Sequence, residues 1–339
     1  MKGKVAKKSL LTLGLICVLL AMVPAAAFSW GDATHVYISD RLKARAGYNN
    51  LNEMWGSLGP DIFNFIFDDT LCPFWLAEQT HGTTDPDSFD PDSFMKVWNA
   101  ASTTAEKALA YGFVSHNEVW GADFTAHIHG LTFGQDKGYI EAKAIVLLNT
   151  PINPTEPHDS NLNPTFGEVF ASIDMSLKQQ RTIAHVIAEY AIDIMLKNHV
   201  DHLLGQKVKL AARFGSPKFP SLLVDAYAAD YAENCPDIDL PTATYIITSA
   251  EAEYRGNMIS YGQAISRAEP IAVKLIANQI VALAPGFLGG ELPIPEAYAV
   301  EIVKAAIYGS MAICPDYVTE INATIEFVEN NLNTNGITY

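Results

Sequence analysis

The chain of 339 residues carries 38 acidic against 22 basic side chains, a net charge of −16, and is 49% hydrophobic. So acidic a surface repels nucleic acid and anionic membrane unless a bound cation reverses the local field, while the apolar half supplies a sizeable core. Three of the four cysteines, Cys72, Cys235 and Cys314, lie beyond residue 29 and allow at most one disulfide plus a free thiol, so cysteine is not the organising chemistry.

Lys2, Lys4, Lys7 and Lys8 precede an apolar run from Leu10 to Val23, and small residues follow at Ala25, Ala26, Ala27 and Ser29. This pattern predicts a signal peptide over 1–29, cut after Ser29, and a secreted or periplasmic product. The run of 14 residues is short of the ~20 needed to span a bilayer, and no small residue precedes Cys17 to suggest a lipid anchor. Four basic and no acidic residues fall in the leader, so the remainder carries 18 positive against 38 negative, or −20.

Downstream the texture is helical. Thr103 and Glu106 have capping-box spacing before "KALAYGFVSH". "KAIVLL" (143–148) is the nearest approach to a strand, and "NTPINPTEPHDSNLNP" (149–164) reads as a surface excursion. Residues 176–204 form a long amphipathic pattern with Ile183, Val186, Ile187, Tyr190 and Met195 among its apolar positions. Residues 244–283 and 296–310 are rich in Ala, Ile, Glu and Val, separated by the break "APGFLGGELPIPEA". No internal repeat or low-complexity tract is present. The expectation is an all-α bundle: a core over 30–205 and a helical C-terminal region over 206–339 packed on it.

Nine histidines are present, several beside acids. Zinc accepts imidazole nitrogen and carboxylate oxygen, and a helix brings residues four apart to one face. His185 and Glu189 in "HVIAE" have that spacing. His116, Asp123, His127 and His129 lie together in "SHNEVWGADFTAHIHG", His81 sits in "THGTTDPD" and Asp61 in "GPDIF". Singly each has a plainer reading: Trp30 as a packing aromatic, His35 as a satisfied histidine, Asp61, Asp85 and Asp87 as turn formers. His199 and His202 suit a helix C-terminus, and His158 a solvated loop.

In order along the chain, Trp30, His35, Asp61, His81, His116, Asp123, His129, His185 and Glu189 resemble the zinc-dependent phospholipase C family, whose fold the P1-type nucleases share. The "GPD", "THGTTDPD", "GFVSH" and "HVIAE" segments carry the likeness, from Trp30 to about residue 195. The resemblance implies a phospholipase C/P1 nuclease-like bundle with three zinc ions. Asp61, His81, His116 and Asp123 would hold the first. His129, His185 and Glu189 would hold the second. The backbone of an amino-terminal Trp30, with His35 and a bridging Asp123, would hold the third. It further implies phosphodiester hydrolysis with Asp61 as general base and a phospholipid substrate at a membrane surface.

The family has Asp four residues after the helical histidine, where this chain has Trp120. Asp123 is seven on, about 10 Å of helical rise away. An irregular turn around Trp120–Gly121–Ala122 is therefore expected, of a kind found at functional sites. Family spacing favours His129 over His127, whereas helical geometry from Asp123 favours His127; His129 ranks first on the resemblance. The alternatives are a single-strand nuclease, favoured by the short Trp30–His35 interval, and a zinc-binding protein without turnover. Phe63, Phe65, Phe67, Phe74 and Trp75 suit a base-stacking, lipid-facing or core role.

Overall fold

The structure is a computed structural model that describes residues 30–66, 69–83, 90–153, 155–288 and 294–339. The leader, Phe67, Asp85, Asp87 and part of the 284–297 break lie outside the described residues. Within them the protein is all-helical, with only two isolated bridges and no strand.

Local chemistry sets the helix starts. Thr103 opens helix α5 (Thr104–His116) by accepting from the Glu106 amide at 3.3 Å, while the Glu106 carboxylate accepts from the Thr103 amide at 2.9 Å. The same reciprocal box, Thr165 with Glu168 and Ser176 with Gln179, opens α7 (Phe166–Ser172) and α8 (Leu177–His199). "KAIVLL" lies in α6 (Tyr139–Leu148). Its apolar residues split between one face packed on α8 and another exposed at Val146, a helical and not an alternating division. The 149–164 excursion is a loop tied internally by Asn163, whose side-chain amide donates to three carbonyls.

Helices α1 (Asp32–Leu42) and α2 (Tyr48–Gly56) pack together, and α2 crosses α5 at two glycines. A Cβ on Gly112 would stand 1.9 Å from the Glu53 carbonyl oxygen, and one on Gly56 equally close to that of Leu109. Only glycine permits this approach. It sets α5 so that its last residue, His116, reaches the Ser57 carbonyl, 2.8 Å from Nδ1.

Beyond residue 205 come α9 (Leu204–Phe214), α10 (Phe219–Asn234), α11 (Leu240–Ile265), α12 (Glu269–Leu288), α13 (Glu296–Ile313) and α14 (Tyr317–Thr334). Earlier in the chain, α3 (Pro73–His81) and α4 (Met95–Ala100) both pack against α10. One apolar cluster runs through residues on both sides of position 205. The buried Trp55 indole donates to Glu251 at 3.0 Å, and Arg255 pairs with that carboxylate while lying over the ring. Among the described residues no single helix is long and apolar enough to cross a membrane.

Glu53, fully buried on α2, uses Oε1 to accept from the Arg45 amide and the Tyr339 hydroxyl, while Oε2 has no hydrogen-bond partner among the described residues. Burial pushes this carboxyl up to about 7, outweighing those donors. A raised carboxyl favours folding below its unfolded value near 4.5 and loses that contribution as pH rises through about 7. Urea titrations should show the parent losing up to roughly 3 kcal/mol more than Glu53→Gln between pH 4.5 and 8. The amide keeps one acceptor and replaces the proton; parallel pH curves for the two proteins would refute the assignment.

Candidate metal centre

Four segments meet at the predicted residues. Helix α1 supplies His35, a 3₁₀ turn (Pro60–Phe65) supplies Asp61, α3 ends in His81 and α5 ends in His116. After His116 the chain reverses around Asn117, whose side-chain oxygen accepts from the amides of Val119, Trp120 and Gly121. The irregular turn expected at Trp120 is thus present. It cancels the seven-residue separation and returns Asp123 to His116.

Asp123, fully buried, faces two ways. Its Oδ2 lies 2.8 Å from His116 Nε2 and 3.8 Å from His81 Nε2, while Oδ1 lies 3.0 Å from His35 Nε2. Asp61 Oδ1 is 3.3 Å from His81 Nε2 and 3.8 Å from His116 Nε2, and Asn64 donates to that oxygen at 2.8 Å. Asp61, His81, His116 and Asp123 therefore converge, and Asp123 joins them to His35.

The second group combines His127, His185 and Glu189. His185 Nε2 is 2.8 Å from Glu189 Oε1, and the His127 and His185 rings are 5.1 Å apart. The placement differs from the expected ranking: among the described residues His129 is exposed and belongs to no convergent group, whereas His127 does. The reason is a π turn, Phe124–Ile128, closed by the His129 amide on the Phe124 carbonyl at 2.8 Å. The wider turn faces residue 127 toward the cluster and leaves His129 extended beyond it, at φ −151°. Trp30 is buried, its indole donating to Thr125 at 3.0 Å and stacking on Tyr139.

The imidazoles share one arrangement. His81 Nδ1 donates to the Ala77 carbonyl and His116 Nδ1 to that of Ser57, both at 2.8 Å. His127 Nδ1 is 2.9 Å from Glu118, and His185 Nδ1 is 2.7 Å from Glu141. Each outer partner fixes the tautomer and leaves Nε2 turned to the cluster, as in metal-ligating histidines. Glu118 and Glu141 were not foreseen. Glu118 also forms a further convergent group with Asp123 and His127, and its amide donates to the His81 carbonyl at 2.8 Å. The "HNE" order within the histidine-rich stretch was the only available signal for Glu118; Glu141 lies 44 positions from His185 and has none.

The C-terminal helix α14 buttresses this region. Fully buried Glu320 accepts from the amides of Leu131, Thr132 and Phe133 and from the Thr132 hydroxyl. Thr324 pairs with Thr125, and Phe327 stacks on Phe124.

Several of these close approaches lack hydrogen-bond alignment. His116 Nε2, both Asp123 oxygens, His127 Nε2 and Glu189 Oε1 are buried without hydrogen-bond partners among the described residues, although His116, Asp123 and Glu189 have neighbours 2.8–3.0 Å away. Two ligands of one tetrahedral zinc would stand about 3.4 Å apart, each near 2.1 Å from the ion. Lone pairs aimed at a common point fit a cation better than each other, so the residues present fit divalent metal. The fields agree. Burial opposes charge on His185, but Glu189 and Glu141 outweigh it and hold the imidazole at about 10. His81 is similarly held at about 9, chiefly by Asp61. Asp123 is held well below the usual carboxylate range by His116 and His35 despite its burial. The site favours positive charge.

No family model, curated protein or solved structure matches this chain. Buried His, Asp and Glu groups able to hold metal ions are what the geometry establishes.

Proposed function

We propose that this protein is a zinc-dependent phosphodiester hydrolase, and that its substrate is phospholipid, which it cleaves as a phospholipase C to diacylglycerol and a phosphorylated head group. The observation that carries the reading is Asp123, whose two oxygens address different histidines and so link two ligand groups, with His127, His185 and Glu189 adjoining. Bound zinc would supply the positive charge that polarises phosphoryl oxygens and lowers the pKa of attacking water. Asp61, His81, His116 and Asp123 would hold one ion, His35 with Asp123 and the Trp30 backbone a second, and His127, His185 and Glu189 the third. Asp61 takes the proton from water as general base. The outer carboxylates Glu118 and Glu141 keep the Nε2 atoms turned inward.

The lipid preference rests on the "THGTTDPD" likeness and on Glu189. Of the three expected aromatics whose side chains are described, Phe74 is half-exposed, whereas Phe63 is buried and Trp75 packs on Tyr231. The expectation of a distorted, inactive bridge loses its motive, because Asp123 reaches both His35 and His116.

The test pairs metal analysis with two assays on a chain beginning at Trp30. Expected are three zinc ions per chain, phosphocholine release from phosphatidylcholine and no cleavage of single-stranded DNA. DNA cleavage alone would transfer the protein to the nuclease reading; full zinc without turnover would support the binding protein. A version with one added residue before Trp30 should lose one zinc.

A further inference from the structure

Cys314 sits buried beside Ser310, Tyr139 and Lys143, whereas the other two described cysteines meet. Cys72 precedes α3 and Cys235 follows α10, so each lies where a helix ends. Their side chains are within hydrogen-bonding reach of each other, although 163 positions separate them. The surrounding packing makes this juxtaposition firm. Tyr231, one turn before Cys235, donates its hydroxyl to the Leu71 carbonyl, and its ring stacks on Trp75 at 5.7 Å and 13°. The Cys235 amide closes on the Tyr231 carbonyl at 3.0 Å, and the Trp75 amide on that of Cys72 at 3.1 Å. Both sulfurs are thus borne by backbone that is tied to the same pair of stacked rings.

We infer that Cys72 and Cys235 are a redox modification site and form a disulfide that joins the base of α3 to the end of α10. Cys72 is half-buried and gives an oxidant access; Cys235 is buried. The oxidant is an external disulfide, small or protein-borne. The Cys72 thiolate attacks one of its sulfurs and releases the first thiol, leaving a mixed disulfide. Cys235 then loses its proton and attacks the Cys72 sulfur, expelling the second thiol. Two S–H bonds are lost from the protein, one S–S bond forms, and the external disulfide takes up the two electrons and two protons.

The backbone supports the direction of the effect. Cys72 adopts φ +45°, a left-handed conformation that a residue with a side chain rarely holds without support. A covalent tie would secure that corner and, through α3, the helix whose last residue is His81. Closing so long a loop also restricts the unfolded chain strongly.

The full chain is equilibrated with glutathione disulfide, alkylated under denaturing conditions and mapped by mass spectrometry without reduction. Expected is a linked peptide pair joining Cys72 to Cys235, retained in Cys314→Ser, lost in Cys72→Ser and Cys235→Ser, with Cys314 alkylated. The oxidised parent should melt several degrees above its reduced form, a difference missing in Cys72→Ser. Recovery of both cysteines alkylated, or linkage of either mainly to Cys17 or Cys314, overturns the assignment. This outcome is independent of zinc content and of any hydrolytic activity.

Discussion

On the proposed hydrolase reading, Asp123→Asn should lower hydrolysis by at least about a thousandfold, about 4 kcal/mol of barrier, and should lower the zinc content. The argument is electrostatic. Asp123 sets one oxygen 3.0 Å from His35 and the other 2.8 Å from His116, and an amide offers neither its charge nor a second equivalent acceptor. Stability separates this from ordinary misfolding. Zinc at a thousandfold above its Kd stabilises the parent by about 4 kcal/mol, roughly 5–10 °C in midpoint, and the variant should gain much less. Without zinc the substitution costs stability, because His116 and His35 hold the Asp123 carboxyl below its usual range and its charge therefore favours the fold; the lost response to added zinc is what marks the ligand role. His129→Ala is the companion measurement. Its imidazole is exposed beyond the π turn, so zinc content and turnover should match the parent. Loss of zinc there, with retention in His127→Ala, would reverse the ligand assignment.

That pair shows where reading the chain unaided stops. Helix starts such as Thr103–Glu106 are legible because a cap is local chemistry, complete within four residues. His185 and Glu189 are legible for the same reason, being one helical turn apart. The choice between His127 and His129 was not, because it depends on one turn adopting a wider pitch than the α-helix. Nothing inside "FTAHIHG" announces this. It follows from clamps supplied about 190 positions later, where Glu320 takes up the amides of Leu131 to Phe133 and Thr324 meets Thr125. The outer carboxylate Glu141 is hidden likewise, because α6 and α8 face each other only in the folded chain. The C-terminal region, which offers no motif, proves to be the support of the π turn that carries His127.

Gly112→Ala carries the second large effect, and it acts at a distance from any ligand. Its new methyl would stand 1.9 Å from the Glu53 carbonyl oxygen and 2.7 Å from the Ser57 amide nitrogen, both backbone atoms with no rotamer to yield. Helices α2 and α5 must then separate by more than about 1 Å, at a cost of roughly 3 kcal/mol or more in strain and lost packing. The midpoint should fall by roughly 5–10 °C. The same displacement draws Ser57 away from His116, whose Nδ1 donates to that carbonyl at 2.8 Å. Zinc affinity should accordingly fall by about 10–100-fold, the usual penalty for losing an outer partner. Gly256→Ala makes the contrast within one experiment. It lies exposed inside α11, and a Cβ there meets nothing within 4 Å. Replacing glycine in an open helix should stabilise by about 0.5–1 kcal/mol and leave the zinc untouched. If both substitutions behaved alike, the close crossing of α2 and α5 could not be what places His116.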